Sequence, residues 1–247
     1  MTTAASNWLP AQRHSAALDV YLLGLVDFDA AWAIQQKLVT EIAERNDTKG
    51  ALILCEHPPI ITIGREGSRE HIAVPPEELH SRQIGVRWLN RGGGTLVHAP
   101  GQLAVYPILP LTRLDMSIPR IIETLLGSIQ QLCQVLQLPT EILQAEPGIR
   151  SRCGQIANIG MAMKSWITYY GLYVNVAPDV RFLRLVNSGH ADKASSIATS
   201  RMRRTPMHTV RSLLIENLVG SLGYNEHQIY TGHPLLRRTR KHICVQA

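Results

Sequence analysis

The sequence predicts an α+β fold, with helices packed against a mixed, mainly antiparallel sheet. Three observations carry this. Ile118, Ile121, Ile122, Leu125, Ile129, Leu132 and Leu136 recur at helical spacing, so 118–138 reads as one long amphipathic helix closed by Pro139. Short β-branched or apolar runs cluster on both sides of it, separated by proline and glycine. Two more helical patterns stand nearer the ends, over about 27–45 and 206–222.

Residues 1–15 are small and polar and read as a loose arm, after which 16–23 is a first strand. Asp27 or Asp29 caps a helix reaching about Arg45, with Phe28, Trp32, Leu38 and Ile42 spaced towards one apolar face. Residues 51–55 and 60–63 make two short strands, because His57, Pro58 and Pro59 between them interrupt any ladder. A polar loop with a short helical turn fills 66–83, and 86–89 is a strand. Beyond the long helix, 149–176 gives two or three antiparallel strands, with turns near Cys153 and Gly154 and around Lys164 and Ser165. Pro206 suits the first turn of the last helix. With no internal repeat or linker, 16–222 is expected to be one domain and 223–247 a basic tail.

Composition narrows the function. A 247-residue chain that is 45% hydrophobic fits a globular protein with a substantial core. No apolar run approaches the roughly 20 residues that span a bilayer, and the first 17 lack a secretion signal's basic start and apolar centre. A cytoplasmic location without membrane contact is the expectation. Cys55, Cys133, Cys153 and Cys244 are scattered with no CxxC pair, which argues against a zinc site and a disulfide framework; no metal is expected. The net charge of +6 suits acidic partners. Arg201, Arg203 and Arg204, and again Arg237, Arg238, Arg240 and Lys241, are not interleaved with aromatic residues, so nucleic acid is not the expected partner.

The candidate site is 91–108, RGGGTLVHAPGQLAVYPI. Gly92, Gly93 and Gly94 lack a Cβ, so their backbone can approach a ligand closely and offer N–H groups to an oxygen. Pro100 and Gly101 form a second turn, leaving His98 on a short segment between two turns, and 102–108 reads as a buried strand. The spacing fits neither GxxxxGK[ST] nor GxGxxG, so no nucleotide cofactor is expected.

This stretch resembles the signature of the octanoyltransferases of lipoate biosynthesis, approximately RGGxxTxHGPGQLVxYP, with Arg91, Gly92, Gly93, His98, Pro100, Gly101, Gln102, Tyr106 and Pro107 matching. EHPPIITIG over 56–64 is similar to that family's HPPVxTxG, and 156–160 with 171–176 to its KIAxxG and HGxALNV segments. The resemblance implies a biotin/lipoate protein ligase-like fold. It also implies transfer of an octanoyl group from acyl carrier protein to a lysine of lipoyl domains, in 2-oxo acid dehydrogenases or the glycine cleavage H protein. Arg91, Gly92, Gly93, Gly94, Thr95, Leu96, Val97 and His98 would bind substrate on one side, and Asn158, Ile159, Gly160, Gly171, Leu172 and Tyr173 on the other.

The family's catalytic pair is replaced. Its lysine falls on Gln155 and its cysteine on Ser188, and Tyr170 stands where it usually has histidine. Gln155 carries no charge to lower a neighbour's pKa, and a serine needs a general base to attack. His98, His190 or Lys193 within hydrogen-bond reach would supply one. Cys153, two residues before Gln155, would share its face if the segment is a strand, which makes it a second candidate nucleophile. Two further readings stay open: a relative that binds acyl chain, carrier or lipoyl domain without catalysis, and an ATP-using ligase, which the loss at Gln155 weakens.

Overall fold

A computed structural model describes residues 17–143, 147–187 and 193–236. Ser188, His190, Cys244, the N-terminal arm and the basic cluster from Arg237 lie outside the described residues.

Strand β1 (Leu18–Leu25) leads into α1 (Phe28–Glu44), whose start is set by Asp27: its Oδ1 accepts from the N–H of Asp29 at 2.9 Å and of Ala30 at 3.1 Å. Strands β2 (Ala51–Glu56) and β3 (Ile60–Ile63) follow, split by His57–Pro58–Pro59 as expected. Between β3 and β4 (Gly85–Trp88), the polar loop holds a 3-10 turn at Arg69–His71 and α2 (Pro76–Ser81). Inside the glycine-rich stretch, Thr95–His98 forms β5, and Gln102–Ile108 forms β6. Helix α3 (Ile118–Val135) starts at Ser117, whose hydroxyl caps the Arg120 N–H at 3.3 Å. Then come β7 (Thr140–Leu143), β8 (Gly148–Ser151), β9 (Gly154–Lys164), β10 (Ile167–Asn175), the short helices α4 (Val180–Leu183) and α5 (Ile197–Arg201), α6 (Met207–Ser221) and β11 (His227–Thr231).

Eight strands form one sheet in the order β11-β1-β2-β6-β10-β9-β8-β7, and β4-β3-β5 form a second. Among the described residues, only β11–β1, β1–β2 and β3–β4 pair in parallel, so the sheets are mixed and mainly antiparallel. The large sheet is covered on both faces because its strands alternate two apolar sets. Leu52, Leu54, Leu103, Val105, Leu172 and Val174 meet α3 and α6 on one face. Ile53, Cys55, Ala104, Tyr106 and Tyr173 meet α1 on the other. The small sheet packs Ile61 and Val97 against Leu79 of α2 and Leu183 of α4.

Two details depart from the sequence reading. Trp32 is 42% exposed, because the buried stripe of α1 runs through Ala31, Gln35, Leu38 and Ile42 and leaves Trp32 on its edge. β11 lies inside the stretch expected as a tail, paired with β1 from Leu18↔His227 to Leu22↔Thr231, while Tyr224 is buried with its hydroxyl donating to the Thr48 carbonyl at 2.7 Å. A boundary at 222 therefore cuts through the sheet.

Candidate functional site

Beneath the glycine-rich loop runs a buried chain of polar side chains with one consistent hydrogen-bond direction. Arg91, fully buried, donates from Nη2 to the Thr62 hydroxyl at 2.8 Å and the Thr62 carbonyl at 3.2 Å, and from Nη1 to the Gly92 carbonyl at 3.0 Å. The Thr62 hydroxyl lies 2.8 Å from His98 Nε2, and His98 Nδ1 lies 2.8 Å from Gln102 Oε1. Gln102 Nε2 donates to the Val97 carbonyl and to Asn175 Oδ1, both at 2.9 Å, and Asn175 Nδ2 donates to the Ser195 carbonyl at 2.9 Å. The two backbone carbonyls fix the amide orientations. Gln102 Oε1 must then accept, so His98 carries its proton on Nδ1 and takes the Thr62 proton at Nε2.

His98 is thus neutral with both nitrogens committed. Burial holds its pKa well below the ordinary value, with His57 and the Arg91 charge pushing the same way. His57 is arranged alike: Nδ1 donates to the Val26 carbonyl at 2.8 Å, and Nε2 accepts from the Tyr106 hydroxyl at 2.7 Å. Burial lowers its pKa to about 4. Cys55 Sγ, 3.5 Å from His57 Nε2, is a buried thiol pushed up by desolvation, the reverse of an activated thiolate.

Among the described residues no carboxylate lies within 4.0 Å of Arg91. Its guanidinium carbon stands 5.8 Å from the Tyr173 ring centre, and Nε is buried without a hydrogen-bond partner among the described residues. Glycines make room for it. A Cβ on Gly160 would stand 2.8 Å from the Gly92 carbonyl oxygen and 2.9 Å from Arg91 Nη1, and one on Gly64 would overlap the Gly93 carbonyl oxygen. The loop is tied to β9 by the Gly92 N–H, which donates to the Met161 carbonyl at 2.8 Å, and to the end of β3 by the Gly64 N–H, which donates to Gly94 at 3.1 Å. Around Gly94 a Cβ would meet nothing within 4 Å, so this is the open side of the loop.

The expected binding residues are therefore divided. Arg91 to Gly93, Gly160 and Tyr173 converge, and the buried His98 side chain supports them from below. Thr95 clips the Ser68 backbone, accepting its N–H at 3.2 Å and donating to its carbonyl at 3.0 Å. Val97 joins the small core, while Ile159 and Leu172 join the core under α3 and α6. Leu96 packs beside the α1 core. Asn158 pairs with Tyr173 across β10, and Gly171 lies tightly against Pro107 and Val105.

Gln155 opens β9, and its N–H donates to the Lys193 carbonyl at 2.9 Å while its carbonyl accepts from the Ser195 N–H at 2.8 Å. Its side-chain amide, 3.4 Å from the Ala157 carbonyl, fits against Gly148, where a Cβ would stand 2.5 Å from Nε2. Gly154 has φ +127°, and a Cβ there would overlap the Lys193 carbonyl oxygen. On the other flank, the Asn187 N–H donates to the His71 carbonyl at 2.7 Å, and Ile72 bridges Val186. Asn187 is thus tied to the 3-10 turn and Lys193 to the start of β9.

Cys153 does not share the Gln155 face. It is exposed in the β8–β9 turn, where the chain has not yet become a strand, so period-2 alternation does not apply. Sequence reasoning also passed over His71, whose Nδ1 lies 3.5 Å from Thr95 Oγ1 and whose carbonyl anchors the residue before Ser188. In sequence it stands in a polar loop, and only the tertiary contact with Asn187 singles it out.

Residues 27–219 match the lipoyl protein ligase A/B catalytic domain. The chain is 34% identical over 206 residues to an octanoyltransferase of Chloroflexus aggregans, covering 81% of this chain and 93% of that protein. It is 31% identical over 210 residues to an octanoyltransferase of Chloroflexus aurantiacus, covering 83% and 92%. A structure described as a lipoate protein ligase of T. acidophilum with bound lipoic acid superimposes with a TM-score of 0.72 at 16% identity, covering 89% of this chain and 91% of that one. The shared fold is the α+β, ligase-like architecture that the motifs implied.

Proposed function

The chain belongs to the lipoyl protein ligase A/B catalytic-domain family, and from that premise we propose that it is an octanoyltransferase. In this reading it moves an octanoyl group from acyl carrier protein to a lysine of a lipoyl domain, in the cytoplasm. The observation that carries the proposal is the bracketing of the Ser188 segment: Asn187 is tied to His71, and Lys193 to Gln155. His71 Nδ1 in turn lies 3.5 Å from Thr95 Oγ1 in the glycine-rich stretch, which supports reading positions 155 and 188 as parts of one site.

Chemically, Ser188 replaces a thiol. In the proposed reaction its Oγ attacks the thioester carbonyl, the His71 imidazole takes the hydroxyl proton, and the carrier's thiolate leaves with that proton. The lysine amine then attacks the resulting ester, forming the amide and returning a proton to Ser188. The neutral Gln155 cannot act as the family's cation; as a donor it can polarise an oxygen.

The same neutral side chain favours a second reading, in which the protein binds the octanoyl group without transferring it. The deciding experiment incubates the full-length protein with octanoyl acyl carrier protein and a lipoyl domain, and measures the domain's mass. Octanoylation of the lipoyl lysine, abolished by Ser188→Ala, supports the transferase. Binding of the octanoyl carrier with no gain of mass on the domain supports the second reading.

A further inference from the structure

A groove of about 680 Å³ opens beside the site, lined by Glu56, Arg204, Pro206, Met207, His208 and Arg211. Arg204 and His208 are exposed and Arg211 is half-buried. Among the described residues, no carboxylate lies within 4.0 Å of either arginine. Arg203 adds a further exposed cation next to the rim. The one acid in the lining, Glu56, is already engaged: its Oε2 accepts the Gly101 N–H at 2.7 Å. The groove therefore presents an imidazole and two guanidiniums with no ion-pair partner among the described residues, beside a single carboxylate.

Its position ties it to the site. Gly101 begins the turn into Gln102, the centre of the buried hydrogen-bond chain, and its carbonyl accepts the N–H groups of Val176 at 3.1 Å and Ala177 at 3.0 Å. Val176 in turn accepts the Ala198 N–H at 3.0 Å, which seats α5. Arg204 and Arg211 follow α5, whereas Ser195, just before it, bonds to Gln155. One short segment thus runs from the site to the groove.

We propose that this groove docks the acyl donor, by taking the phosphodiester of a phosphopantetheine arm and the acidic protein surface around it. The proposal rests on the transferase reading above. The phosphodiester distinguishes the donor from the acceptor. It and neighbouring carboxylates are attracted to paired guanidiniums, and a lipoyl-domain lysine brings no phosphodiester.

The test is the Arg204→Glu, Arg211→Glu double variant of the full-length protein, with Lys37→Glu on the opposite face of the sheet as a control of equal type. Binding of octanoyl acyl carrier protein is measured by titration at low and physiological salt, and transfer kinetics are measured against donor and lipoyl domain separately. The double variant is expected to weaken carrier binding and raise the donor KM by about tenfold or more, with kcat and acceptor KM within about twofold of the parent. Lys37→Glu should change none of these. Unchanged donor affinity in a folded double variant overturns the groove, as does a loss confined to the lipoyl domain, even if transfer itself proceeds. If the carrier binds through the groove but no octanoyl group is ever transferred, the docking assignment stands and the transferase reading falls.

Discussion

The Thr62 hydroxyl lies 2.8 Å from His98 Nε2 while accepting from Arg91 Nη2 at the same distance, so one oxygen holds both the glycine loop's arginine and the strand after it. Thr62→Val keeps the volume and removes that oxygen. It leaves His98 Nε2 without a donor and weakens the hold on a buried guanidinium, at a cost of about 1–3 kcal/mol for each group left unpaired. Urea unfolding of Thr62→Val should show this loss, and Thr62→Ser should restore most of it.

The buried histidines set a pH dependence. His57 and His98 have depressed pKa values in the folded protein and ordinary ones near 6.5 when unfolded, so the unfolded state binds more protons as pH falls below about 6.5. Stability is insensitive to them above that value and falls between pH 6.5 and 4, by on the order of 3 kcal/mol from His57 alone. Urea midpoints across this range should decline steeply in the parent protein. They should decline less in a folded His57→Gln variant.

Glycines around Arg91 separate geometry from composition. Gly160→Ala brings its Cβ to 2.8 Å from the Gly92 carbonyl oxygen, a backbone atom that cannot swing away, so stability should drop by about 1–3 kcal/mol and acyl binding with it. Gly94→Ala meets nothing within 4 Å and has no left-handed φ to maintain, so thermal melting should be nearly unchanged. Equal effects of the two substitutions would mean that the loop is not seated on β9 as described.

Local rules made much of this legible. The cap at Asp27, the helical spacing from Ile118 and the prolines between β2 and β3 appear in the chain as written. β11, HQIYT, was illegible because all five residues are exposed and leave no apolar alternation to read; it pairs through its backbone. The motif marked the candidate site, but not its interior. His98 looks like a free base in sequence, and only tertiary contacts with Thr62 and Gln102 show that both nitrogens are occupied. His71 gains a role only when Val186 and Asn187 fold across it.

The proposed roles of 155 and 188 predict a gain of function. Gln155→Lys with Ser188→Cys restores the family's cation and thiol, and Gly148, which has no Cβ, borders the side chain at 155. Octanoyl transfer by the double variant should exceed the parent by about tenfold to a hundredfold, since a thiolate needs no separate base. Cys153→Ser, in the exposed β8–β9 turn, should leave the rate unchanged.

The most direct test of the central claim is intact mass spectrometry of the full-length protein after mixing with octanoyl acyl carrier protein, followed by peptide mapping and hydroxylamine treatment. The account predicts one octanoyl ester on Ser188, resistant to neutral hydroxylamine as an oxygen ester, lost when a lipoyl domain is added and absent from Ser188→Ala. An adduct mapped elsewhere, or octanoylation of the lipoyl domain that survives Ser188→Ala, would contradict it.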